Sequence, residues 1–74
     1  MEVLLTMYRS LSAAELEELR QMVIAQPNLT LRELNVLPGT KMSTIVFRPA
    51  DGSGAEGVRA ALELKTQLQR HGWA

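Results

Sequence analysis

Four serines, one histidine and a cluster of three glutamates are the residues of this chain that could do chemistry beyond packing. Ser10, Ser12, Ser43 and Ser53 would each need a neighbouring base to act as a nucleophile. The single histidine, His71, falls at the far end of the last predicted helix, where the helix dipole already accounts for it. Glu15, Glu17 and Glu18 sit in the first turns of another predicted helix. An acid/base pair needs burial to move a pKa, and a solvated helix start does not supply it. The segment DGSGAEG, residues 51–57, has the look of a phosphate cradle at a helix N-terminus. It lacks both the P-loop lysine and the dinucleotide spacing, so it reads as a connector. With no cysteine and one histidine, thiolate and clustered zinc sites are excluded. Tyr8 and Phe47 are too far apart to make a base-stacking platform. The expectation is a non-enzyme with no catalytic residues, no metal and no cofactor.

The bulk properties narrow the class further. A chain of 74 residues, 46% of them hydrophobic, is one globular domain spanning 1–74. At this size a single core leaves the fold marginal, and association is the stabilising device that remains once disulfides and metals are gone. Residues 1–37 hold three basic and five acidic groups, and residues 38–74 hold five and three. That balance gives no basic face for a polyanion, which argues against nucleic acid. The opening MEVLLTMYRS is too short for a membrane span and lacks the layout of a secretory signal. A soluble, cytoplasmic protein is expected, without membrane contact.

The elements that must position any site are signed at two places. In LSAAELEELRQMVIAQPN, Ser12 and Glu15 form a capping box, Leu11 and Leu16 a hydrophobic staple, and Leu16, Leu19, Met22 and Val23 one helical face. A helix over 13–25 follows, stopped by Pro27. Ser53 and Glu56 suggest a second capping box and a helix over 54–70. Its buried stripe is expected to be Val58, Ala61, Leu62 and Leu68, with Leu64 at the margin. Gly72 suits the left-handed position after that helix, and Trp73 can fold back on Leu68. Val3 to Arg9, with no cap in front, reads as a strand.

Residues 29–48 admit two readings. Thr30 with Glu33 could cap a short helix, and a Pro-Gly turn leading into a second segment would make a helix-turn-helix. Against this, Thr44, Ile45 and Val46 are consecutive β-branched residues, followed by Phe47 and closed by Pro49. A recognition helix also needs outward basic residues, and this segment has only Lys41 and Arg48 at its ends. A β-hairpin turning at Leu37-Pro38-Gly39-Thr40 is the preferred reading, with type II geometry at Pro38-Gly39. A three-residue connection would pair Leu29 with Phe47 and Leu31 with Ile45, leaving Leu34 opposite Met42 on the other face.

The expected fold is therefore α+β in the order β-α-β-β-α. It has a three-stranded sheet with both helices on one face, the ferredoxin-like plan lacking its last strand. Such a sheet keeps an uncovered face and an open first strand. Leu4, Thr6 and Tyr8, or alternatively Val3, Leu5 and Met7, would line that face, joined by Leu34, Met42, Thr44 and Val46. Trp73 reads as the lid of the last helix, or else as an anchor for a partner. The expected function is a small protein–protein interaction module: a regulator, inhibitor or accessory subunit using the open face or edge strand. Its partner would be another protein or a second copy as a homodimer, and a helix-turn-helix regulator is the alternative.

Overall fold

The computed structural model describes residues 1–73. The order is β1 (Val3–Met7), α1 (Ala13–Ile24), β2 (Leu29–Val36), β3 (Ser43–Pro49) and α2 (Gly54–Arg70). β3 runs between the other two strands and is antiparallel to both, so the sheet order is β1-β3-β2. This is the expected α+β plan. Residues 30–48 form a hairpin and contain no recognition helix.

Alternation decides which face is covered. Val3, Leu5 and Met7 of β1 and Ser43, Ile45 and Phe47 of β3 are buried, while Leu4 is exposed and Thr6, Thr44 and Val46 are half-buried. The inward set shares one core with Leu19 and Val23 of α1 and Ala61, Leu64 and Leu68 of α2. Both helices thus lie on the same side. α1 packs on β2, and α2 packs mainly on β3 with further contacts to β1.

β2 departs from the expected register for a reason visible in its sequence. Leu31 pairs with Phe47 and Glu33 with Val46, so Arg32 is the extra residue of a β-bulge. Leu29 and Leu31 are inward before the bulge, and Leu34 and Val36 are inward after it. The spacing 29, 31, 34, 36 holds two alternating pairs out of phase by one residue, and the bulge lets both face the core. Leu34 consequently pairs with Ile45 and packs against the core, which corrects its expected place on the open face. The turn at Leu37–Thr40 does form: Thr40 N–H donates to Leu37 O (3.2 Å), and Gly39 takes φ 73° as a type II turn requires. The connection is longer than three residues, because Leu37 N–H donates to Met42 O and strand pairing resumes only at Val36 and Ser43. Met42 lies in this loop, not opposite Leu34.

The first helix starts as expected. Ser12 Oγ accepts from Glu15 N–H (3.2 Å), and Glu15 Oε1 accepts from Ser12 N–H (3.0 Å). The second does not. Ser53 Oγ donates to Ala50 O (2.6 Å) and makes no cap to α2, so its capping box is absent. The end of α2 follows the Schellman pattern: Trp73 N–H donates to Leu68 O (2.9 Å), Gly72 N–H to Gln69 O (3.3 Å), and Gly72 has φ 79°.

On the outer face of α1, Glu17 accepts from Arg20 Nη2 and Gln21 Nε2, each at 2.8 Å. The Arg20 and Gln21 hydrogen bonds hold its carboxyl at about 2, against an ordinary 4.5. Because the folded pKa is the lower one, this stabilisation is present above the ordinary value and is lost as pH falls through the depressed one. A carboxyl-carbon NMR titration of Glu17 should give a midpoint near 2, and Arg20→Ala should return it toward 4.5. An ordinary midpoint in the unmodified protein would show that the exposed fork does not persist in solution.

Candidate protein-docking edge

β1 is one margin of the sheet and β2 the other, and their sequences treat that exposure differently. Edge strands carry unpaired backbone groups, and proteins blunt them with charge, proline or a bulge. β2 has all but the proline: the bulge at Arg32, then Glu33 and Asn35 facing out. β1 is VLLTM, five residues without charge, proline or register shift. Of the two margins, β1 is the one that carries none of these devices.

The outer sheet face adjoins that edge. Leu4 is 62% exposed and pairs with Val46, which in turn pairs with Glu33. Thr6 pairs with Thr44, and Thr44 with Asn35. Tyr8, just past the strand, is 81% exposed. Of the two alternatives for β1, the Leu4–Thr6–Tyr8 set lies on the open side. Polar residues rim this patch: Glu2 and Arg32 pair at 3.6 Å, and Arg48 reaches Asp51 at 3.7 Å. A small apolar strip within a threonine-rich, ion-paired surface is the result.

The remaining expected site residues lie elsewhere. Leu34 is in the core layer and Met42 in the hairpin loop. Trp73 packs against the core as the lid of α2, and the Arg9 guanidinium stacks on its ring 4.8 Å from the centroid. Arg9 is itself 3.4 Å from Glu15. These contacts bind Trp73 to the β1–α1 connection and separate it from the Leu4–Val46 strip.

The serines are engaged with backbone. Ser10 Oγ donates to Thr40 O, and Ser12 and Ser53 are accounted for above. Ser43 is fully buried, donates to Arg9 O (2.8 Å) and accepts from Leu11 N–H (3.3 Å). Among the described residues no group of three His, Asp or Glu side chains is placed to hold a metal, and no helix is long and apolar enough to cross a membrane. No family model, curated protein or solved structure matches the chain.

Sequence reasoning missed a second exposed apolar feature. Val58 and Leu62, expected in the buried stripe of α2, are 39% and 50% exposed, and Leu64 takes the inward place with Gly57, Ala61 and Leu68. With roughly 100° between successive helical residues, Gly57 inward turns Val58 to the flank, and Ala61 inward does the same to Leu62. Together with Thr66, Arg59, Glu63 and Arg70 they border a shallow groove of about 550 Å³. The missed signal was small-residue spacing: Gly57 and Ala61 allow close approach to β3, and that rotates the stripe.

Proposed function

We propose that this chain is a non-enzymatic protein-interaction module that binds its partner by strand addition at the free edge of β1. Leu4, Val46 and Tyr8 supply side-chain contacts beside the new strand. The observation that carries the reading is the contrast between the unprotected VLLTM edge and the bulged, charged β2 edge. Main-chain hydrogen bonds would give affinity, and side chains alternating to either face would give selectivity. A regulator or accessory subunit acting inside the cytoplasm is the role proposed. The helix-turn-helix alternative loses its recognition helix to β3.

Site-directed photocrosslinking tests this. A photoreactive residue at Tyr8, in cells expressing the protein, should give a discrete protein adduct, whereas the same residue at Asn35 on the other margin should not. Thr6→Pro removes a donor from β1 and should abolish the adduct while leaving circular dichroism unchanged. Equal labelling from both margins, or no adduct from Tyr8, would remove the edge from consideration.

A further inference from the structure

We infer that the strand added to β1 comes from a second copy of this chain, paired antiparallel across a twofold axis, with the Val58–Leu62 flank of α2 closing over the seam. This rests on the strand-addition reading and names its partner.

The pattern of β1 is complementary to itself. Antiparallel pairing centred on Leu5 sets Val3 opposite the partner's Met7 and Leu4 opposite the partner's Thr6. Buried-face residues thus continue the buried face, and exposed-face residues the exposed one. A twofold axis normal to the sheet makes this contact isologous and gives a continuous six-stranded sheet with all four helices on one side.

Charge selects the same arrangement. Glu2 precedes the strand and Arg9 follows it. Antiparallel pairing brings the Glu2 end of one β1 near the Arg9 end of the other, so opposite charges approach at both ends while each keeps its own-chain partner, Arg32 for Glu2 and Glu15 for Arg9. Parallel pairing would set like beside like. The chain has a formal net charge of zero, so two copies approach without general repulsion.

The exposed flank of α2 then gains a function. β1, α1 and β2 form a strand–helix–strand unit, and its right-handed crossover puts α1 and β2 to one side of α2 and the free β1 edge to the other. A right-handed helix running antiparallel to β3 turns the residue after each inward position toward that free edge. Val58 and Leu62 are those residues. An added strand lies about 4.8 Å beyond β1, beneath this flank, and the partner's β1 brings Val3, Leu5 and Met7 on that face. Arg59 and Glu63, four apart on α2, become reciprocal charge partners across the axis. Among the described residues Glu63 has no ion pair of its own, and Arg59 reaches only Glu56, at 3.9 Å.

Sedimentation equilibrium and amide exchange on the full chain test the inference. The expected result is a monomer–dimer equilibrium with slowed exchange at the β1 amides that point away from β3. Leu62→Glu places a charge in the seam without touching the core and should weaken the dimer by about tenfold or more. Asn35→Lys on the opposite margin should leave it unchanged. Circular dichroism must match the parent in both variants. A protein that stays monomeric across the accessible range overturns self-pairing, and a Tyr8 adduct to a different chain would then keep strand addition standing. A dimer with freely exchanging β1 amides, or one indifferent to Leu62→Glu, overturns the proposed seam.

Discussion

Gly57→Ala should destabilise the protein by about 1–3 kcal/mol, the range for forcing extra volume into a packed contact. The direction opposes helix propensity, which favours alanine over an interior glycine by about 1 kcal/mol. Gly57 is buried in the first turn of α2, where that helix lies on the end of β3. A Cβ there would meet the Ser53 hydroxyl and come within 2.8 Å of both Pro49 Cβ and Ser53 Cβ. None of these groups can yield easily: Ser53 Oγ is held by Ala50 O, and Pro49 closes β3. For a domain of this size the loss corresponds to a fall in melting temperature of about 5–20 °C. The double variant with Ser53→Gly should recover part of it. A thermal melt showing Gly57→Ala at or above the parent would mean that α2 does not approach β3 this closely. The same contact sets the rotation of α2, so the variant bears on where Val58 and Leu62 point.

Ser43→Ala is the second large effect, about 1–3 kcal/mol, because it strands a buried donor. Ser43 is fully buried, and its hydroxyl joins Leu11 N–H and Arg9 O, which lie just before α1. Removing the oxygen leaves the buried Leu11 N–H without a partner and takes the donor from the part-buried Arg9 O. The total stability of a chain this long is about 4–11 kcal/mol, so the loss is a large share of it. Thermal unfolding should shift down, and the Leu11 amide should exchange faster than in the parent. An unchanged melt with Leu11 still protected would show that water or another group replaces the hydroxyl. This serine ties the connection between β1 and α1 to the start of β3.

Neither residue was legible as important in the sequence. Ser43 is one of four serines, and nothing local distinguishes it, because its partners are more than 30 residues away. Gly57 falls within a helix whose periodicity can be drawn through Val58 and Leu62 or through Leu64 equally well. The choice depends on which small residues meet β3, a fact of packing. The Ser53–Glu56 pair failed as a capping box for a related reason. Ala50 O competes for the Ser53 hydroxyl in the tight turn that leads from β3 into α2.

The proposed docking surface was half visible. Leu4, Thr6 and Val46 share the open side because the period of two along β1 and β3 survives folding intact, and Tyr8 is exposed just past β1. Leu34 was misplaced because that period is broken once in β2, at Arg32. Met42 was misplaced because the hairpin loop is longer than a minimal turn.

What the sequence determined alone was the set of elements, their order and the turn chemistry between most of them. Caps, β-branched runs and the Pro-Gly bend act over a few residues, and their physics is contained in those residues. What only the tertiary structure decided was that the β2 margin carries a bulge while the β1 margin runs without a register shift, which flank of α2 overlooks β1, and that Leu34 turns inward. Those outcomes depend on strand order, on a bulge that reconciles two inward pairs, and on two small residues meeting a neighbouring strand. They arise between elements distant along the chain, where local preference has no voice.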